Sequence, residues 1–454
     1  MAKHFSKAPQ KNPAAVPFSF KQGLHFKAML NSVASATGSH IHSQRPLIVA
    51  AASARALAQS AAAAGFKVLA TDCFQDQDLV EFLHATGGHY LGQMTSFSDL
   101  PHIIEQLPHS IPLLWAGGLE NQLDLLRQIS LLRPLAGLPL TAVLNLRSPQ
   151  ALATALGNHG PLACPESVRG RIPATGRWLW KSAESSGGLG IQRITPELPI
   201  QLSDPHRCPH GYFQQELQGL PVSAIACSDG QHTRIAGMTL QWSGWQELGA
   251  EPFRYCGNLG PLTAPPRLFD AVQNAATALF RHSGNPHGIL GMDMLLTPEK
   301  CWLLEVNPRI PASSWIHEAA TPWNAVAWLL CDNPATQHPA TNPPAADSLF
   351  PQTLRTQLII WSRKGFHSPD LHDFAVQMPA GVRIADRPAQ SAWIPPNSPL
   401  CSLLCEAEDT KQLSANLRSL PAGLMSLAEL SAWKIADSIE HHWRSWLEIA
   451  QAWG

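Results

Sequence analysis

The stretch Gly291–Arg309 reads GMDMLLTPEKCWLLEVNPR, with two apolar segments on either side of a short polar turn. This pattern predicts a β-hairpin over Leu290–Asn307 that closes over three residues, Pro298 to Lys300. In that register Asp293 lies opposite Glu305. Because side chains alternate between the two faces of a strand, Asn307 joins the same face two residues further on.

The two acids of this hairpin are unusual because their neighbours are Leu, Met, Trp and Val. An unpaired carboxylate among apolar groups costs several kcal/mol. Two carboxylates and an amide oxygen are the hard ligands that suit Mg²⁺ or Mn²⁺, so we expect Asp293, Glu305 and Asn307 to form a metal site. Arg309 projects towards the same region and can hold a phosphate or carboxylate. The alternative, an edge hairpin whose acids face water, fits the apolar neighbours less well.

A second segment indicates phosphate binding. Lys181 ends the aromatic run Trp178-Leu-Trp-Lys, and a loop with Ser186, Gly187, Gly188 and Gly190 follows. Glycines free backbone N–H groups to turn towards an anion, and lysine supplies a point charge. The order differs from G-x-x-x-x-G-K-[ST], and taken alone this run is more typical of a surface turn. A third segment, Phe213–Ser223, predicts a strand, a turn and a second strand.

Taken together and in this order, these segments resemble the ATP-grasp superfamily over roughly Arg45 to Cys331. The chain is more closely similar to the predicted ATP-dependent carboligases related to biotin carboxylase, with which it shares FRYCGNLGP at Phe253–Pro261. The resemblance implies an α/β fold with an α+β lid. Its parts are an N-terminal parallel-sheet domain, the lid, an antiparallel-sheet core and a small C-terminal unit.

The resemblance also implies roles for individual residues, with ATP bound between lid and core. These roles are phosphate contact by Lys181, closure by Ser186, Gly187, Gly188 and Gly190, adenine contact by Gln215, Glu216 and Leu217, and Mg²⁺ binding by Asp293, Glu305 and Asn307. In catalysis, we expect Lys181 and Arg309 to neutralise charge on the transferred phosphoryl group. Arg254, with Tyr255 and Asn258 in a glycine-containing loop, is a further catalytic candidate that would contact the acid substrate or phosphate, and a surface loop is an equally good interpretation of this segment. Ser313 and Ser314 would border the site of an acyl phosphate.

The activity we expect is ATP- and Mg²⁺-dependent ligation of a small-molecule carboxylate to an amine through an acyl phosphate, with a place in coenzyme biosynthesis. One alternative is a carboxylase-type ATP-grasp enzyme that uses bicarbonate, and another is a non-catalytic ATP-binding subunit. Biotin carboxylases follow their asparagine with R-x-Q-V-E-H, whose glutamate activates bicarbonate. Here the sequence after Asn307 is Pro-Arg-Ile-Pro-Ala-Ser-Ser, which disfavours biotin carboxylation.

Two further departures from the family pattern concern nucleotide contacts. Pro221 stands where many members have an acid for the ribose hydroxyls, which leaves ribose contact open. The first of the family's two lysines is missing near the start of the lid, where the basic candidates are Arg147, Arg169 and Arg171.

Apolar runs, helical patterns and proline clusters predict the domain organisation. Runs at Pro46–Ala52, Phe66–Ala70, Ile111–Ala116 and Leu140–Leu146 predict parallel strands of a βαβ domain. The predicted boundaries are a flexible basic tail over 1–44, the N-terminal domain over 45–147, the lid over 148–220, the core over 221–332, a proline-rich linker over 333–348 and a C-terminal α+β unit over 349–454.

Composition excludes several classes of protein. The chain has 454 residues and a net charge of -1, which gives no long-range field to hold nucleic acid or an anionic membrane. Nine scattered cysteines without a C-x-x-C pair predict reduced thiols and a cytoplasmic protein. The longest apolar runs are strand-sized, so we expect no membrane segment. The sequence leaves the identity of both substrates open, and a homo-oligomer is compatible with it.

Overall fold

The computed structural model describes residues 45–157, 160–170, 175–182, 186–194, 211–330 and 353–454. The predicted basic tail over 1–44 and the predicted linker over 333–348 lie outside these residues.

Strands and helices alternate in the first third of the chain, and strands dominate the middle. The strands are β1 Pro46–Ala50, β2 Lys67–Asp72, β3 His89–Gln93, β4 Leu113–Trp115, β5 Leu135–Ala136, β6 Leu162–Ala163, β7 Ser167–Val168, β8 Trp178–Ser182, β9 Ile191–Arg193, β10 Gly211–Gln215, β11 Leu220–Asp229, β12 Thr233–Ser243, β13 Tyr255–Gly260, β14 His287–Leu296, β15 Cys301–Asn307, β16 Leu354–Ser362, β17 Phe366–His367, β18 Val382–Ala385, β19 Trp393–Ile394 and β20 Ser398–Ala407. The α-helices are α1 Arg55–Ala63, α2 Gln77–Ala85, α3 Leu100–Ile104, α4 Leu123–Ser130, α5 Leu140–Leu146, α6 Pro149–Leu156, α7 Pro266–His282, α8 Ser314–Glu318, α9 Ala325–Leu330, α10 His372–Ala375, α11 Thr410–Arg418, α12 Ala422–Ala428 and α13 Ala432–Trp453. Short 3₁₀ turns occur at Phe97–Asp99, Leu119–Asn121 and Gln246–Leu248.

The N-terminal sheet is parallel, with the strand order β3-β2-β1-β4-β5. The central strands β1, β2 and β4 are largely apolar and buried, as expected of a parallel sheet, whereas the edge strand β3 is half-buried. The order reverses between β1 and β4, so the carboxyl ends of these two strands border a crevice. Ala52 and Ser53 follow β1 at this crevice, and Gly117 follows β4.

One predicted strand of this domain is wrong. Leu140–Leu146 forms helix α5, and the fifth strand is the shorter Leu135–Ala136. A short apolar run is compatible with either a buried strand or a buried helix. Here Pro139 stands at the N-cap, and Leu and Ala are good helix formers.

The lid contains a four-stranded antiparallel sheet with the order β7-β10-β8-β9. The core sheet has nine strands in the order β18-β20-β16-β13-β12-β11-β14-β15-β6. It is antiparallel except for the parallel pair formed by β15 and β6. Helix α7 buries its apolar face, including Leu268, Val272 and Phe280, against this sheet.

The longest strands of the C-terminal part of the chain belong to the core sheet and do not form a sheet of their own. Strand β16 pairs with β13 of the core, and β20 and β18 continue beyond it. The predicted C-terminal α+β unit over 349–454 thus shares the core sheet through these strands. The consequence for function is that residues after 353 reach the central cleft.

Within the described part of the chain, no helix is both long and apolar enough to cross a membrane. The described cysteines are free thiols, and most of them are buried.

Candidate active site

The hairpin of β14 and β15 forms as predicted, and its register places Asp293 opposite Glu305 and Gly291 opposite Asn307. The predicted three-residue turn is wrong, because Leu296 pairs with Cys301 and the loop has four residues. A bulge after Asp293 offsets the longer loop: Met294 pairs with Leu303, which leaves one extra residue on β15. The prediction that the two acids lie opposite each other is therefore confirmed, although a four-residue loop and a bulge produce this register.

The side chains of this hairpin converge on one face. Asp293 and Glu305 lie directly opposite each other on the paired strands. The Asn307 amide Nδ2 donates to Asp293 Oδ2 at 2.9 Å. Burial and the neighbouring charge of Glu305 raise the pKa of Asp293 to about 7. Such mutual repulsion is relieved when a divalent cation is bound between the carboxylates.

Lys181 faces this pair of acids from the lid. It lies on β8 opposite Tyr212 and is buried, with 6% of its surface exposed. Burial lowers the pKa of the Lys181 ammonium, and the charges of Glu305 and Asp293 act in the opposite direction. An ammonium group and two carboxylates thus meet where the lid closes on the core.

The glycine loop lies beside Lys181 and packs against the loop that precedes β13. Gly187 and Gly188 have φ angles of 62° and 78°. A Cβ atom on Gly188 would lie 1.7 Å from the Phe253 carbonyl oxygen, so only glycine allows this close approach. The Tyr255 N–H donates to the Gly187 carbonyl at 3.1 Å. Ser186, Gly187 and Gly188 line the central cleft, whereas Gly190 does not.

The strand predicted to face adenine borders the same cleft through Gln215, Glu216 and Leu217. The carboxylate of Glu216 is occupied by Arg177 at 2.9 Å and Arg193 at 2.7 Å. Burial raises the pKa of Glu216, but the hydrogen bonds and charges of these arginines outweigh it, so the pKa lies below its ordinary value. Glu216 therefore ties together the lid strands through its side chain.

Arg309 is held by a residue that sequence reasoning missed. Its Nε lies 2.8 Å from Oε1 of Glu120, a fully buried residue of the N-terminal domain. The other Glu120 oxygen accepts the Gly118 N–H at 2.7 Å, and Arg309 Nη2 donates to Asn307 Oδ1 at 3.3 Å. The sequence pattern that could have indicated Glu120 is the pair Gly117-Gly118 directly after a strand, with this acid two residues later.

The structure separates the basic candidates near the start of the lid. Arg147, directly after α5, lines a small pocket of about 50 Å³ together with Lys181 and Glu305. Arg169 does not line this pocket, and Arg171 lies outside the described residues.

Arg254 is not brought into the cleft. Its guanidinium pairs with Glu251 at 3.2 Å, and the neighbouring Tyr255 lines the cavity instead. Asn258 is buried and donates to Ser223, Thr239 and the Leu240 carbonyl. Its Oδ1 accepts the Tyr255 hydroxyl, so Asn258 fixes Tyr255 in place.

These groups surround a cavity of about 1800 Å³ between the N-terminal domain, the lid, the core and the C-terminal strands. Among the described residues there is no cluster of three or more His, Cys, Asp or Glu side chains with metal-binding geometry. The candidate metal site therefore depends on Asn307 as its third ligand.

The parallel N-terminal sheet, the antiparallel lid and the core sheet that carries an acidic hairpin define the ATP-grasp architecture. Residues 151–313 match the family model described as an ATP-grasp domain. This part of the chain is therefore an ATP-grasp domain. No curated protein matches the chain.

Solved structures share this fold at low sequence identity. Biotin carboxylase from Campylobacter jejuni has a TM-score of 0.59 and 13% identity, covering 82% of this chain and 91% of the other. L-Amino acid ligase from Bacillus licheniformis has a TM-score of 0.56 and 15% identity, covering 83% and 97%. Carboxyaminoimidazole ribonucleotide synthase from Aspergillus clavatus, complexed with ATP, has a TM-score of 0.58 and 16% identity, covering 85% and 98%.

Proposed function

We propose that the protein is an ATP- and Mg²⁺-dependent ligase that joins a carboxylate to an amine through an acyl phosphate. The observation that carries this proposal is the convergence of Asp293, Glu305 and Asn307 on one face of a hairpin, with Lys181 facing them from the lid. A divalent cation bound between the two acids would offset their repulsion and explain why both are present in the cleft.

The metal would be held by Asp293, Glu305 and Asn307. Their oxygen atoms suit a hard cation, and the raised pKa of Asp293 reports the repulsion that a cation relieves. When bound, Mg²⁺ neutralises charge on the β- and γ-phosphates of ATP.

Cationic side chains and the glycine loop would neutralise the remaining negative charge of the phosphates. Lys181 and Arg147 line the same small pocket, so we assign Arg147 the role of the missing first lysine. Backbone groups of Gly187 and Gly188 would close over the phosphates. The carboxylate substrate attacks the γ-phosphorus, ADP leaves, and Arg309, fixed by Glu120, holds the resulting acyl phosphate.

Adenine contact would come from the main chain after β10. The N–H groups of Gln215 and Glu216 already donate to Glu166 and Arg177 carbonyls, so Leu217 and Gln218 are the candidates for the base. Pro221 also borders the cleft, and its side chain has no group that can accept a hydrogen bond from the ribose hydroxyls.

An amine is favoured over bicarbonate as the acceptor by the sequence after Arg309. The segment that carries a bicarbonate-activating glutamate in biotin carboxylases holds Ser313 and Ser314 here, and both serines are buried beside the cleft. In the proposed second step the amine nitrogen attacks the acyl carbon, inorganic phosphate leaves, and the nitrogen loses a proton. Fold similarity does not choose between these reactions, because carboxylases and a ligase match with nearly equal TM-scores.

The test compares Glu305→Ala with Glu299→Ala, which changes the same residue type in the exposed turn of the same hairpin. ADP release is measured against panels of carboxylates with amines or with bicarbonate. We expect Glu305→Ala to lower ADP release at least about 100-fold and Glu299→Ala to leave it unchanged. Wild-type turnover by Glu305→Ala would show that the metal assignment is wrong. Turnover with bicarbonate alone would replace the ligase with a carboxylase, and calorimetric ATP binding without turnover would favour the non-catalytic alternative.

A further inference from the structure

The cleft has a second lobe whose walls carry an excess of negative charge. Ser53 and Asp76 from the N-terminal domain and Asp386 from the C-terminal strands all line it. Ser53 Oγ donates to Asp76 at 3.3 Å and is 3.4 Å from Asp386, so the three side chains form one surface. This lobe lies at the carboxyl ends of β1 and β2, where open parallel sheets bind ligands.

The charges of this surface are not balanced. Arg55 is buried and engages Asp386 through Nε at 2.7 Å and Nη2 at 3.3 Å. Asp78 accepts the backbone N–H groups of residues 386 and 387. Asp76 has no ion-pair partner among the described residues, and its Oδ1 accepts no hydrogen bond from them. It is 4% exposed, and burial with repulsion from Asp386, Asp72 and Asp78 raises its pKa well above the ordinary value, although the nearby charge of Arg55 acts in the opposite direction.

Two buried hydroxyls give an independent indication of a ligand in this cavity. Ser313 and Ser314 line it with 4% and 6% of their surfaces exposed, and neither hydroxyl has a hydrogen-bond partner among the described residues. Buried hydroxyls are generally satisfied, so groups left open towards a cavity indicate that something polar occupies it.

A chain of hydrogen bonds runs from the serine wall towards the acidic wall. Trp315, next to Ser314, donates to Gln357 Oε1 at 3.3 Å, and Gln357 Nε2 donates to Ser402 Oγ at 3.2 Å. Ser402 pairs with Ala385, the residue before Asp386, and both Ser402 and Asp386 line the cavity. Tyr255 lines the same cavity as Asp293, Arg309 and Asp386, so this lobe is continuous with the candidate metal site.

We propose that this lobe binds an ammonium group of the second substrate, with Asp76 as its ion-pair partner and Ser53 and Asp386 beside it. The proposal rests on the ligase function, because it identifies the acceptor as a cationic amine. An anionic acceptor such as bicarbonate would meet several carboxylates there and is disfavoured by their charge.

The test is calorimetric titration with primary amines, namely ethylamine, 1,4-diaminobutane, glycine and lysine, and with the corresponding alcohols and bicarbonate. Each is measured with and without Mg²⁺ and a non-hydrolysable ATP analogue. The variants are Asp76→Asn, which keeps the side-chain shape, and Asp373→Asn, an exposed control on α10. We expect saturable binding of at least one amine, no binding of the alcohols, and a Kd raised about tenfold or more by Asp76→Asn only.

Binding of no amine under either condition, equal affinity in the wild type and Asp76→Asn, or preferential binding of bicarbonate would each overturn the proposal. Glu305→Ala separates this result from the catalytic assignment. Nucleotide-free amine binding by Glu305→Ala equal to that of the wild type supports an independent acceptor lobe. Failure of the catalytic assignment alone would instead appear as unaltered ADP release by Glu305→Ala.

Discussion

Replacing Glu120 with Gln tests whether the N-terminal domain positions Arg309. Glu120 is fully buried and the Arg309 side chain is 14% exposed, so the substitution leaves a buried guanidinium without its charged partner. Gln also has one acceptor oxygen, whereas Glu120 serves both Arg309 and Gly118. Breaking a buried pair from one side costs ~3–5 kcal/mol. Because the amide can keep one of the two hydrogen bonds, we expect a loss of about 3 kcal/mol.

The pH dependence of this loss has a definite sign. Burial raises the pKa of Glu120, but the charge and hydrogen bond of Arg309 outweigh it and hold the pKa below the ordinary value of 4.5. A depressed carboxyl pKa contributes stability above the unfolded-state pKa and loses it as pH falls through the folded-state value. The difference between the wild type and Glu120→Gln should therefore be constant at neutral pH and shrink below pH 4.5.

The assay is urea unfolding over this pH range, with Glu105→Gln as the matched control in the same domain. The Glu105 side chain is 50% exposed and pairs with the exposed His102, so its replacement should change stability by less than ~1 kcal/mol. In turnover assays Glu120→Gln should lower kcat more than it raises the KM for ATP, because Arg309 is displaced but the phosphate pocket is intact. Stability of Glu120→Gln within ~0.5 kcal/mol of the wild type would refute the reasoning.

Two further predictions concern the lid and a buried histidine. Gly188→Ala should prevent the glycine loop from packing on Phe253 and raise the KM for ATP at least about tenfold. Gly187→Ala is the control and should have a smaller effect, because a Cβ atom on Gly187 would have no other atom within 4 Å. Equal KM values for the two variants would contradict this prediction. His317 packs against Gly237, and burial lowers its pKa to about 4, so the unfolded state takes up a proton first as pH falls below 6.5. Stability should then decline by roughly 3 kcal/mol between these pH values, a slope that His317→Gln lacks, and NMR titration of the imidazole near pH 6.5 would refute it.

Local sequence patterns predicted the elements that depend on local chemistry. The hairpin and the two strands predicted within Phe213–Ser223 follow from alternation and turn residues. The exact turn of the hairpin did not, because a bulge and a four-residue loop compensate each other and leave the same facing residues. The strand predicted at Leu140–Leu146 was wrong because a short apolar run does not distinguish the periodicity of a strand from that of a helix.

The contacts that position the site join residues far apart in the chain, and no local pattern reports them. Glu120 and Arg309 are separated by 189 positions, and Arg55 and Asp386 by 331. Both pairs link the N-terminal domain to later strands, and this linkage explains why buried charge is retained on both sides of one cleft. The pair at Arg309 leaves a guanidinium facing the candidate metal site, which suits phosphate. The pair at Arg55 neutralises Asp386 but leaves Asp76 without an ion pair among the described residues, which suits a cation. Two ion pairs that join the N-terminal domain to the core and to the C-terminal strands thus give two regions of the cleft opposite charge preferences, as a site that brings an acyl phosphate to an amine requires.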